Sequence, residues 1–209
     1  MKKIILLCFS LFFLIGNLMV PKEFAHAAHA SATEQEIANA IDNMAYAFKN
    51  TDLKLSLEDP DSNIVEENVY DKNGEFLGTF GMEIVSDENE NQVARMSLPG
   101  NKTAFSGTTT VKVYWYAASI NYQFYAKIAK NSSGKAYISS VYDESYFVIP
   151  PVVVSSDKLE IIQKTETSSS PAQARYTLNL STYVGGSTKL WIFVKAAEGY
   201  FWTGGNWCC

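Results

Sequence analysis

Histidine is the scarcest chemical resource of this 209-residue chain: there are two, His26 and His29. Both sit in a stretch that reads as removable. Cleavage after Ala30 leaves no histidine, and cleavage after Ala27 leaves only His29 at a chain end. A chain without imidazole has no Ser-His-Asp or Cys-His nucleophile. It also lacks the histidine-containing zinc and non-haem iron sites. Cysteine is nearly as scarce. Of three, Cys8 lies in the same early stretch, and Cys208 and Cys209 stand side by side at the end. A disulfide stapling the core is thereby excluded, because no other cysteine remains to pair with them. Adjacent cysteines make a strained ring with each other, so a link to a second chain, giving a disulfide-linked dimer, or an inert tail are the alternatives. Basic residues are outnumbered too, 17 against 22 acidic. Removing Lys2, Lys3, Lys22 and Glu23 leaves 14 against 21, a net charge of −7. That balance argues against nucleic acid and against charge-driven binding to anionic lipid.

The early stretch has three parts. Lys2 and Lys3 make a basic start. An apolar run of 17 residues extends from Ile4 to Val20, broken only by Ser10, Gly16 and Asn17. Two small-x-small sites follow, Ala25-His26-Ala27 and Ala28-His29-Ala30. This is the pattern of a cleavable secretory signal peptide over residues 1–30, ending at Ala27 or Ala30. The run falls short of the ~20 residues of a comfortable membrane span, and no later segment is long and apolar enough to be one. Cys8 follows Leu7 inside the run, where a lipidated cysteine would not lie. The expectation is a secreted, extracellular protein.

The remaining 179 residues suffice for one domain. Residues 31–50 hold one convincing helix. Thr33 and Glu36 form a capping box, and Ile37, Ile41, Met44 and Phe48 recur at helical spacing. Such a stripe packs on the main body or docks a partner.

From residue 51 the period becomes two. Asp71-Lys72-Asn73-Gly74-Glu75 is a hairpin turn, since Asn-Gly takes positive φ readily. It joins a strand ending near Tyr70 to one over Phe76–Val85. In Thr109–Ala117, Val111, Val113 and Trp115 share one face and Lys112, Tyr114 and Tyr116 the other. In Asn121–Ala129, Tyr122, Phe124, Ala126 and Ile128 alternate with Gln123, Tyr125 and Lys127. Asn131–Gly134 turns the chain into a strand ending at Tyr142. Pro150-Pro151 mark an edge or bend. Tyr176, Leu178 and Leu180, then Leu190, Ile192 and Val194, repeat the alternation. The predicted fold is all-β: a β-sandwich or small barrel of about 8–10 antiparallel strands with one N-terminal helix.

The hairpin Asn73-Gly74-Glu75, the strand Thr110–Tyr114, the segment Phe124–Ile128, Ile138–Asp143 and the strand Ala174-Arg175-Tyr176 occur in an order that resembles a family of small secreted Gram-positive proteins of unknown function, over residues 53–200. The resemblance implies a bacterial extracellular β domain. It carries no active-site residues, and it does not extend to the helix or the Trp-Cys-Cys tail.

Carboxylates are the acid–base groups left. Asp143-Glu144, placed after a strand, and Glu83 are the candidates, but a glycosidase needs two carboxylates facing across a sugar, and solvated turn acids are the commoner case. Asp59–Asn63, Asp71–Glu75 and Asp87–Glu90 resemble fragments of calcium loops, yet none has the twelve-residue pattern. They read as Asx turns, so neither metal nor cofactor is expected. Aromatic residues offer more. Alternation points Tyr114, Tyr116, Tyr125, Trp191 and Phe193 outward. Such a face stacks on sugars, meets a protein, or is covered by the helix. The tail brings Tyr200, Phe201, Trp202 and Trp207 beside Cys208 and Cys209. It either folds back as a final strand or meets a membrane interface, which Trp and Tyr favour. The expected role is binding of a cell-surface protein or glycan, without catalysis. A bacteriocin-like or toxin-like protein acting on membranes through the tail is one alternative; a carboxylate-dependent glycan-active enzyme is the other.

Overall fold

A computed structural model describes residues 54–55, 62–71, 73–87, 97–98, 102–105, 107–150, 152–182 and 187–208, with backbone alone at 54, 86, 87, 97, 98, 102, 182 and 206–208. The expected signal peptide and the helix at 33–49 lie outside the described residues. So do the acids of the loop at 59–63.

The described chain is all-β, with strands β1 (Lys54–Leu55), β2 (Ile64–Tyr70), β3 (Phe76–Asp87), β4 (Ser97–Leu98), β5 (Lys102–Ala104), β6 (Thr108–Tyr116), β7 (Ile120–Lys130), β8 (Ala136–Val148), β9 (Val152–Gln163), β10 (Ala172–Thr182), β11 (Ser187–Ala197) and β12 (Tyr200–Cys208). They form two antiparallel sheets. One has five strands in the order β2-β3-β6-β7-β8. The other has seven, in the order β4-β5-β12-β11-β10-β9, with β1 also on β12.

Local chemistry sets the turns. At the β2–β3 turn Gly74 has φ 81°. The Asp71 carboxylate accepts the N–H groups of Asn73 and Glu75, both at 2.8 Å. Its Oδ1 is therefore spent on the backbone, and its Oδ2 accepts the Asn73 side-chain amide at 3.2 Å, the Asx-turn reading of this loop. Asn131 does the same for Ser133 and Lys135, at 2.9 and 3.0 Å. Glu198-Gly199, with φ 54° and 81°, makes a tight turn between β11 and β12 of the kind that suits twisted hairpins. Pro150 and Pro151 fall between β8 and β9, where the chain leaves one sheet for the other. That position needs no ladder donor.

Alternation then builds the core. Phe80, Met82, Val113, Trp115, Tyr122 and Phe124 point inward from the five-stranded sheet, and Tyr176, Leu178, Leu190, Ile192, Val194 and Phe201 from the seven-stranded one; all belong to one cluster and are fully or almost fully buried. Each such side chain contributes about 1.5–3 kcal/mol by leaving water. Tyr176 touches Tyr122 and Phe124 across the interior, at ring-centroid distances of 6.1 and 6.4 Å.

Two expectations need correction. The strand ending at Tyr142 continues to Val148, so Asp143-Glu144 do not follow a strand but lie within one, at a bulge. Alternation marks a further strand over Leu159–Gln163, whereas β9 begins earlier, at Val152.

Candidate functional site: a tyrosine face on the five-stranded sheet

The outer face of the five-stranded sheet gathers the polar half of each alternating strand. Lys112, Tyr114 and Tyr116 come from β6. Register places Lys112 opposite Tyr125 and Tyr114 opposite Gln123 on β7, and Tyr125 opposite Tyr142 on β8. On the other flank Tyr114 faces Gly81 of β3, which faces Glu66 of β2. Gly81 has no side chain, so the Tyr114 ring lies across it and its hydroxyl donates to Glu66 Oε1 at 2.6 Å.

The rings form two stacks. Tyr114 and Tyr116 lie 4.6 Å apart at 26°, and Tyr125 and Tyr142 lie 5.7 Å apart at 16°. Lys112 sits among them, its Nζ 5.1 Å from the Tyr114 centroid and 5.7 Å from that of Tyr116, and 3.8 Å from Glu83 Oε2. The Tyr116 hydroxyl donates to Gln123 Oε1 at 2.6 Å. Tyr114 is buried, whereas Tyr116 is 38% exposed. The first tyrosine is a fixed base and the second a presented ring.

Electrostatics follow from this packing. Burial, then the hydrogen bond to Glu66, holds the Tyr114 hydroxyl protonated well above the ordinary tyrosine range. Burial works against the charge of Lys112, but Tyr116, Tyr125 and Glu83 outweigh it and raise the lysine pKa. The face therefore offers flat rings, a persistent cation, carboxylates and an amide within one patch. Rings stack on apolar faces of a ligand, and the polar tips bond to its rim.

Trp191 and Phe193 are not on this patch. Both lie on β11, on the outer face of the seven-stranded sheet. Arg175 stands 5.9 Å from the Trp191 ring and Lys195 Nζ 4.8 Å from the Phe193 ring. Arg175 Nη2 also meets Glu160 Oε1 at 3.1 Å, and Lys158 Nζ meets Glu160 Oε2 at 2.6 Å. The hydrogen bond from Lys158, then that from Arg175, holds the Glu160 carboxyl below its ordinary range. The five outward aromatics thus divide between two sheets: three tyrosines on one, the tryptophan and phenylalanine on the other.

The tail is a strand. β12 pairs with β11 from Tyr200↔Ala197 to Cys208↔Lys189, and its other edge pairs with β5 and β1. Phe201 is fully buried, with its ring 6.1 Å from Phe105, so it presents nothing to a membrane. Tyr200 and Trp202 are half-buried in the same strand. The side chains of Trp207 and Cys208, and all of Cys209, lie outside the described residues.

Sequence reasoning passed over Tyr142, Gln123, Lys112 and Glu66 as site residues. Alternation already pointed Lys112 and Gln123 outward, and only their neighbourhood was missing. Tyr142 was hidden by the bulge that follows it.

No model of a known protein family matches the chain, and no curated protein does. Among solved structures, it is similar to hypothetical protein lmo2686 of Listeria monocytogenes EGD-e, at 26% sequence identity and a TM-score of 0.42, over 68% of this chain and 94% of that one.

Proposed function

We propose that this chain is an exported, non-enzymatic binding protein, a β-sandwich that holds a glycan of the bacterial envelope on the outer face of its five-stranded sheet. The observation that carries the reading is the paired tyrosine stacks around Lys112, with Glu83, Glu66 and Gln123 at their edges. A sugar ring has an apolar face and a polar rim. Tyrosine rings on the outer face of a sheet meet the first; a carboxylate, an amide and an ammonium meet the second. Trp191 and Phe193 lie on the other sheet, apart from this cluster.

Binding to purified Gram-positive cell-wall glycan and to soluble oligosaccharides tests this. Tyr116→Ala and Tyr125→Ala are each expected to weaken binding about tenfold, the effect of losing an aromatic anchor worth about 1.4 kcal/mol. Trp191→Ala should leave it unchanged. Equal binding by all three variants would assign the ligand to another surface.

A further inference from the structure

The outer face of the seven-stranded sheet is basic and aromatic. Trp191, Phe193 and Trp202 lie on it half-buried. Register sets cations around them. Lys195 stands opposite Trp202 and Arg175 opposite Phe193, while Lys158 and Trp191 flank Thr177 from its two neighbouring strands. Lys189 precedes Trp191 by one alternation on β11 and is exposed, as is Lys158. Among the described residues of β9, β10 and β11, Glu160 is the one acid on this face, and Lys158 and Arg175 already hold it. The excess of cations is unusual in a chain with 17 basic and 22 acidic residues. The outer face of the five-stranded sheet has no such excess: Glu66 and Glu83 stand there with Lys112 and Lys127.

A segment of complementary chemistry precedes β1. Between residues 34 and 49, Ile37, Ile41, Met44 and Phe48 recur at helical spacing, and Glu34, Glu36 and Asp42 outnumber Lys49. As a helix the segment would be about 24 Å long, with the stripe from Ile37 to Phe48 covering about 16 Å. β11 from Lys189 to Lys195 spans about 20 Å, so the two lengths match. A lone helix of this size is marginal in water and gains stability by packing its apolar side.

Connectivity selects the face. β1 pairs antiparallel with β12, Lys54 with Gly204 and Leu55 with Thr203, so the segment joins the body on the seven-stranded sheet. From Asn50 to Lys54 the chain reaches at most about 14 Å. The five-stranded sheet lies about 10 Å further off, and a helix laid on its outer face adds its own thickness of about 10 Å. That path is too long for the connection. The inner face is filled by the core cluster. We infer that residues 34–49 dock as an amphipathic helix on the outer face of the seven-stranded sheet, with the stripe against Trp191, Phe193 and Trp202 and the acids toward Lys158, Lys189 and Lys195. The tyrosine face of the five-stranded sheet is then left uncovered.

Carbodiimide cross-linking of the exported chain, which joins a carboxylate directly to an amine and is read by mass spectrometry, tests the docking. Glu34, Glu36 or Asp42 is expected to link to Lys158, Lys189 or Lys195. A mixture of isotope-labelled and unlabelled chains should give these links within one chain only. Backbone amides of residues 37–48 should exchange slowly with solvent. Ile41→Asp combined with Met44→Asp should speed that exchange about tenfold, because the stripe no longer gains from burial. Trp191→Ala should speed it from the other side of the contact, and Tyr116→Ala should not. Near-UV circular dichroism establishes that the β body of each variant stays folded. Links to Lys112 or Lys127 would put the helix on the five-stranded sheet, and links between labelled and unlabelled chains would put it on a second copy. Fast exchange without any link would leave the stripe free for a separate partner. Each of these three results overturns the inference.

Discussion

Two glycines on β3 let one strand carry large rings on both faces of its sheet. A Cβ on Gly78 would stand 2.6 Å from Trp115 Cζ2 and 2.7 Å from the Tyr116 carbonyl oxygen. A Cβ on Gly81 would overlap the Tyr114 ring. Glycine weakens a strand interior, so its use there marks a close approach. At Gly81 the approach is what allows Tyr114 to cross β3 and reach Glu66. Gly81→Ala is therefore expected to displace the Tyr114 ring and destabilise the fold by about 2 kcal/mol, in the range of overpacked sites. Tyr114→Phe, which keeps the ring and loses the hydrogen bond to the Glu66 carboxylate, should cost about 1.5 kcal/mol. Urea unfolding of the two variants checks the order. If Gly81→Ala unfolds with the parent, the ring does not depend on that space.

At the scale of elements, Glu166 joins three parts of the chain that are distant in sequence. Its Oε1 accepts the Ala136 N–H at 2.9 Å, where β8 begins, and its Oε2 accepts the Glu198 N–H at 2.6 Å, in the β11–β12 turn. Glu166→Ala leaves both donors without this partner and is expected to cost about 2 kcal/mol, as for hydrogen bonds to a charged group. Amide hydrogen exchange at Ala136 and Glu198 should accelerate with it; unchanged exchange at both would show that the clip does not hold the turn. Nothing in the local pattern announces this residue, because Glu166 lies in a polar loop and its partners are 30 and 32 positions away. The same limit explains what else was legible. Period-two alternation identified the inward faces of β6, β7, β10 and β11, since each strand buries one face. Alternation cannot say which sheet a strand joins. Tyr116 and Trp191 look equivalent in sequence and lie on different sheets because β6 pairs with β3 and β11 with β12. Asp143-Glu144 resemble turn residues, and only pairing across Gln123 and Tyr125 shows a bulge in a continuous strand. The Gly-rich end near Gly204-Gly205 suggests looseness, yet long-range pairing to β11 makes it interior to a sheet.

For the whole molecule, two tyrosines of the interior and one packed on the outer face cannot easily ionise. Burial holds Tyr122 protonated far above the ordinary tyrosine range, with a smaller effect from Tyr176. Burial, Asp157 and Glu144 do the same for Tyr176, and burial with Glu66 for Tyr114. The sign of the resulting pH dependence is fixed. In the unfolded chain these hydroxyls ionise near pH 10; in the fold they keep their protons. Their contribution is complete below pH 10 and is lost as the pH rises beyond it. Each tyrosine can remove up to about 1.4 kcal/mol of stability at pH 11. Urea midpoints should therefore change little in this respect from pH 8 to 10 and fall steeply by pH 11. Absorbance at 295 nm should show at least three tyrosines ionising only as the fold is lost. Tyr122→Phe isolates the part of this effect that one residue carries. Removing a buried hydroxyl with no partner should stabilise the protein by about 1 kcal/mol and make the alkaline loss shallower. If Tyr122→Phe is instead less stable than the parent and every tyrosine titrates in the folded state, the hydroxyl has a partner and the interior is open to water.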